Sequence, residues 1–207
     1  MIPFFRKKKN ESIFQEMTQW KSSKYTLEKY PFQNNDLKKD LGELELAYLN
    51  GEYTPSKKDV NDLDTYILGY FSREFESPKR IDEFFKTHQA LDVYDHFLHW
   101  TYMGEGMEDP PFKGLSIYLM QHSKYPETVK FGILLAHFYD LMGTPGAVST
   151  IELLGKWPAF TYYGIEVFKN LPMGQGSIFH MSEDTFGNGK KCMANFVEER
   201  LNLRGGK

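Results

Sequence analysis

Asp92, His96 and His99 stand at i, i+4 and i+7, a spacing that places one carboxylate and two imidazoles on the same side of a helix. That donor set suits zinc, iron or manganese and would point to metal-assisted hydrolysis. Leu91, Tyr94, Leu98 and Thr101 form the core stripe of the same helix and leave the trio on its flank. His180 and Asp184 are the further groups such a site would recruit. The sequence lacks an HExxH frame, a second carboxylate at a recognisable spacing and a nearby glutamate placed as a general base. A plain polar helix flank without a cofactor is therefore the expectation, with the metal site as its rival.

Other reactive groups are sparse. Cys192 follows Lys190 and Lys191 near a helix start, where positive charge favours a thiolate, but no histidine base accompanies it. A small buried residue is expected there. His137, among Leu135, Ala136 and Phe138, reads as a core or interface histidine. Gly187-Asn188-Gly189-Lys190-Lys191 has the look of a phosphate loop without the preceding strand, and reads as a turn. Dinucleotide, P-loop, nucleophile-elbow and di-iron ExxH patterns are all missing from the sequence. Acidic clusters such as Asp82-Glu83 and Glu108-Asp109 read as solvated surface.

The strongest pattern is a repeat. Lys124-Tyr125-Pro126 through Gly132-Ile133 returns as Lys156-Trp157-Pro158 through Gly164-Ile165, at a constant offset of 32 residues. A period in the thirties is what stacked helix-turn-helix units produce. Proline opens the second helix of each hairpin, and the aromatic before it either staples the turn or faces a partner. Lys124, Tyr125, Lys156 and Trp157 are accordingly the candidate partner-binding residues, because stacked hairpins set equivalent corners in a row.

Apolar residues recur at three- and four-residue steps almost throughout, so the elements that carry these corners are helices. A first short helix carries Ile13, Phe14, Met17 and Trp20. A second opens near Asn35, carries Leu37, Leu41, Leu44 and Tyr48, and stops at Asn50-Gly51. A third begins at Ser56 and a fourth at Ser77-Pro78. Helices are predicted at 90–103, 111–122, 126–142, 146–155 and 158–170, an irregular segment at 174–189, and a last helix carrying Met193, Phe196, Val197 and Leu201. The expected organisation is a flexible terminus at 1–10 and one all-α domain at 11–203: a helical cap at 11–75, hairpin repeats at 78–171, and a C-terminal segment and helix at 174–203.

Over roughly 78–171 this arrangement resembles HEAT-like and armadillo-like helical repeats. The run from Gly187-Asn188-Gly189 to Phe196-Val197-Glu198-Glu199-Arg200-Leu201 is similar to a segment that follows such repeats in uncharacterised bacterial proteins, although an extra glutamate interrupts the pattern. The resemblance implies an irregular array of antiparallel hairpins, a short HEAT-like α-solenoid, with an N-terminal cap. It also implies a bacterial source. Small proteins of that kind often act as regulators, adaptors or toxin-neutralising partners.

Composition narrows the functional classes. The chain has 207 residues, enough to bury a core without disulfides, and its 16% aromatic content predicts a ring-rich one. A net charge of -3 supplies no global pull towards nucleic acid, so none is expected as partner. One cysteine leaves no internal disulfide and fits a reducing cytoplasm. Residues 2–9, an apolar tip before Arg6-Lys7-Lys8-Lys9, are too short to span a bilayer and offer at most a peripheral membrane contact. The expected function is a non-enzymatic protein-binding module. The alternatives are a metal-dependent hydrolase using Asp92, His96 and His99, and a nucleic-acid-binding helical repeat.

Overall fold

The computed structural model describes residues 11–56, 60–94, 97 and 109–205, and among them every regular element is a helix. In chain order these are α1 (Ile13–Lys21), α2 (Asn35–Lys39), α3 (Glu43–Leu49), α4 (Asn61–Phe71) and α5 (Ser77–Phe84), then helical residues 90–94. There follow α6 (Asp109–His122), α7 (Pro126–Leu134), α8 (Pro145–Leu154), α9 (Pro158–Phe168), α10 (Gly174–Ser182) and α11 (Gly187–Gly205). Short 3₁₀ turns occupy Leu27–Lys29 and Leu135–Phe138.

Local chemistry explains several of the starts. Ser12 and Gln15 form a reciprocal capping box, with Ser12 Oγ accepting from the Gln15 amide and Gln15 Oε1 accepting from the Ser12 amide at 3.0 Å. Asn34 Oδ1 caps α2 by accepting from the Leu37 amide at 2.9 Å. Proline opens α7, α8 and α9, where its missing N–H and fixed φ cost nothing.

The two repeat units are antiparallel hairpins in the same register. Residues 123–125 join α6 to α7 and residues 155–157 join α8 to α9. Tyr125 and Trp157 hold equivalent extended N-cap positions. The hairpins pack together through α7 against α9 and α6 against α8. Between them and the segment before α6 runs an aromatic seam: Phe131 meets Phe85 at 5.0 Å and Phe97 at 5.2 Å, and Phe138 meets Phe97 and Phe112 at 5.4 Å. Edge-on and tilted pairs of this kind each add about 0.5–1.5 kcal/mol beyond area burial. α1 lies on α6 and α8, α3 lies on α9 and α11, and α10 lies on α8 and α9.

Several boundaries differ from the sequence reading. The helix expected from Asn35 to Asn50 is two helices, α2 and α3, because Gly42 turns the chain through a left-handed conformation at φ 76°. A Cβ on Gly42 would stand 2.6 Å from the Pro158 carbonyl oxygen, so the turn exists to lay the chain on the start of α9. The helix expected to begin at Ser56 begins at Asn61. The helix expected over 126–142 ends at Leu134, tightens into a 3₁₀ turn and leaves at the extended Tyr139. The segment 174–189, expected to be irregular, contains α10. There the burial of Ser177, Ile178 and Met181 outweighs the helix penalty of Gly174 and Gly176. Met181 sulfur sits in a notch that exists only because positions 155 and 164 lack side chains.

Candidate functional site

Residues 11–42 cross both hairpin corners like a strap. Ser12 Oγ donates to the Gln121 carbonyl at 2.7 Å, and the Ile13 amide donates to the Ser123 carbonyl at 3.1 Å. Asn34 Nδ2 donates to the Lys124 carbonyl at 2.7 Å. At the second corner, Trp157 Nε1 donates to the Asp40 carbonyl at 2.9 Å while its ring packs edge-on against Phe32 and Phe186. The corner groups therefore satisfy polar atoms of the strap, and burying such atoms unpaired would cost about 1–3 kcal/mol each.

Beneath the strap lies a lysine that the apolar face of α7 carries into the interior. Lys130 is 1% exposed, and its ammonium meets Asp40 at 2.7 Å, Glu45 at 2.8 Å and Glu127 at 2.5 Å. Asp40 closes α2, Glu45 lies on α3 and Glu127 shares α7 with Lys130. The ring thus joins strap to hairpin. Tyr163 on α9 donates its hydroxyl to Glu45 Oε1 at 2.9 Å, and its face lies 5.8 Å from the lysine nitrogen. Burial opposes the charge on Lys130, but Glu45, Glu127 and Asp40 together hold its pKa above the ordinary lysine value. Burial also raises Glu127 against the lowering pull of Lys130 and of the Ala90 amide, which donates to its Oε2 at 2.7 Å. Burial raises the Tyr163 hydroxyl, and Glu45 pushes it the same way.

A cleft of about 1040 Å³ opens on this ring. Asp36 and Asp40 wall it from the strap, Glu43 from the start of α3, Tyr53 and Ser56 from the segment after α3, and Phe85, Lys86 and Asp92 from the segment after α5. Tyr125, Glu127 and Lys130 close it from the first corner. Asp92 Oδ1 accepts from the Tyr53 hydroxyl at 2.5 Å and from the Ser56 amide at 2.8 Å. Burial, and then this bond to Asp92, push the Tyr53 hydroxyl up to about 12. The Lys86 ammonium rests over the Tyr125 ring at 5.1 Å and pairs with Glu83 at 2.6 Å.

The residues singled out from sequence fall in different places. Asp92 is in the cleft wall, whereas His96 and His99 lie outside the described residues. His180 is exposed beside Glu183 at 3.7 Å, Asp184 is 2.5 Å from Lys156, and neither lines the cleft. Of the corner residues, Tyr125 faces the cleft, Lys124 is exposed, Lys156 is committed to Asp184, and Trp157 is buried. Cys192 is buried, and desolvation pushes its thiol up to about 12. His137, expected in a core or interface, lies outside the core of the single chain, accessible at the 3₁₀ turn with its ring 6.0 Å from Tyr94, and desolvation lowers its pKa. Among the described residues no group of three or more His, Cys, Asp or Glu is arranged to hold a metal ion, and no helix is long and apolar enough to cross a membrane.

Sequence reasoning missed Lys130, Asp40, Glu45 and Glu127. One signal was present: Lys130 interrupts the apolar run from Val129 to Ala136, three residues after a glutamate. A lysine on a buried helix face must bring its own counter-charges. Comparison of the chain with models of protein families, with curated proteins and with solved structures finds no match.

Proposed function

We propose that this chain is a non-enzymatic protein-binding module of the bacterial cytoplasm, a regulator, adaptor or toxin-neutralising partner, and that its recognition surface is the cleft between strap and hairpins. The observation that carries the reading is the cleft itself: a space of about 1040 Å³ between separate segments, walled by polar groups of which Asp40 and Glu127 are held in place by Lys130 and Asp92 by Tyr53 and the Ser56 amide. Such fixed, concave, mixed walls favour recognition, since little ordering entropy remains to be lost on binding. Tyr125 is the corner residue that belongs to this surface. The HEAT-like and armadillo-like likeness, carried by the matching hairpin registers, is part of the proposal.

A photo-crosslinking residue placed at Tyr125 or Thr54, both in the cleft wall, tests it against the same residue at Phe75, which is exposed and outside the cleft. In cells that express the chain, one saturable protein adduct at both cleft positions and none at Phe75 supports the reading. No adduct at either cleft position refutes it.

The metal-hydrolase reading keeps one observation in its favour, the placement of Asp92 in the cleft wall. It requires about one equivalent of metal after purification without chelator, lost in the His96→Ala, His99→Ala double variant. A nucleic-acid role gains nothing from a cleft in which carboxylates outnumber lysines.

A further inference from the structure

The walls of the cleft restrict the chemistry of an occupant. Five carboxylates, Asp36, Asp40, Glu43, Asp92 and Glu127, line it against three lysines, Lys39, Lys86 and Lys130. Lys130 is already committed to its ring, in which one cation answers the three anions Asp40, Glu45 and Glu127. That ring carries an excess of negative charge, with Glu45 buried and Asp40 and Glu127 partly exposed in the cleft wall. Glu45 is fully buried, and its Oε2 has no hydrogen-bond partner among the described residues. Excess charge of one sign at a partly desolvated wall is costly, and a further cation that enters the cleft and meets Asp40 or Glu127 lowers that cost.

The aromatic walls select among cations. Tyr53, Phe85 and Tyr125 line the same space; the Lys86 ammonium lies over the Tyr125 ring at 5.1 Å, so this face receives positive charge, and an incoming guanidinium takes the place of Lys86 there while Lys86 keeps its pair with Glu83 at 2.6 Å. Carboxylates beside aromatic faces suit a guanidinium, which forks to oxygen in its plane and stacks through its face. A compact, strongly hydrated metal ion would make no use of the rings. The cleft volume of about 1040 Å³ is far larger than one side chain, which argues for a cation delivered on a peptide segment.

We propose that the cleft takes an arginine-bearing segment of a protein partner, the guanidinium seated against Tyr125 and answered by Glu127 and by the rim carboxylates Asp36 and Glu43. This rests on the cleft being the binding surface. The test is an NMR titration of the isotope-labelled full chain with hexa-arginine and with hexa-citrulline, its neutral isostere. Binding of the arginine peptide with shifts centred on Tyr125, Tyr53 and Glu127, at least tenfold tighter than citrulline, is the expected result.

Asp36→Asn with Glu43→Gln should weaken it about tenfold, as two charge-assisted contacts at a partly exposed rim warrant. Far-UV circular dichroism and the melting temperature of that double variant should match the parent, because neither substitution touches the Lys130 ring. The control, Glu198→Gln with Glu199→Gln on α11, removes the same charge elsewhere and should change nothing. Equal weakening by both double variants overturns the proposal, since attraction would then be general. Equal binding of both peptides overturns it too, and so does free arginine or spermidine binding as tightly as the peptide. A crosslinked partner at Tyr125 together with equal peptide binding would sink the arginine proposal alone, whereas absence of any adduct would sink the cleft reading beneath it.

Discussion

Replacing Lys130 with methionine tests the reasoning about the buried ring most severely. The side chains are similar in length and both fill the apolar face of α7, so the change removes the charge with little change of volume. It leaves Asp40, Glu45 and Glu127, which now stand 2.7, 2.8 and 2.5 Å from the ammonium, facing one another without a counter-ion. Removing one partner of a buried ion pair costs about 3–5 kcal/mol. For a chain of this length each kcal/mol lowers the melting temperature by roughly 2–4 °C, so a fall of about 6–20 °C is expected.

The pH dependence gives a second handle on the same ring. Glu127 already has a raised pKa, mainly from burial, and Lys130 is the chief group holding it down. A carboxyl whose folded pKa exceeds its unfolded value binds protons more readily in the native state. Its favourable contribution is complete below the unfolded pKa of about 4.3 and is lost as pH rises through the folded value. The gap between parent and variant should therefore be widest near neutrality and narrow towards about pH 4. Lys130, raised in the parent, contributes stability in full below about pH 10.4 and loses it as pH rises through its folded value. Thermal and urea unfolding at pH 4 and 7 measures the gap at its narrowest and its widest, and at pH 10, still below the ordinary lysine value, the Lys130 contribution should be undiminished. A loss under about 1 kcal/mol at neutrality, the worth of an exposed pair, would refute the ring as a structural centre.

Further predictions address the strap and the thiol. Gly42→Ala should cost more than Gly51→Ala in urea melts: both have positive φ, worth about 1–2 kcal/mol, but only at Gly42 does the new Cβ strike backbone, 2.6 Å from Pro158 oxygen. Equal losses would show that the strap does not press on α9. Trp157→Phe should lose about 1–3 kcal/mol by orphaning the Asp40 carbonyl, and hydrogen exchange should report faster opening near Gly42. Cys192, with its thiol pushed up to about 12, should resist an aromatic disulfide reagent at pH 8 and react at once in urea; fast native reaction would contradict its burial.

The all-helical class was legible because apolar spacing near 3.6 is a local signal that survives without tertiary knowledge. The hairpin corners were legible for the same reason, since Pro126 and Pro158 mark helix starts and the offset of 32 marks equivalence. What the corners touch was not legible. Trp157 serves Asp40 and Lys124 serves Asn34, contacts separated by 117 and 90 positions that no window of sequence contains. The break at Gly42 failed for a related reason. A glycine inside a helical pattern is ambiguous until the element that crosses it is known. The ring around Lys130 draws its carboxylates from three elements, so only the unexpected lysine was available in advance.

The strap also sets an order of events during synthesis. Glu45 must wait for Tyr163, 118 positions later, and at about 5–20 residues per second that delay is roughly 6–24 s. The two hairpins, closed by three-residue turns, have only local contacts to make and can form as soon as they emerge. The apolar residues Ile13, Met17 and Trp20 are made well before α6 and α8, the helices that cover them. Until α8 emerges the nascent chain carries an uncovered apolar helix, which makes α1 a segment that a chaperone would meet.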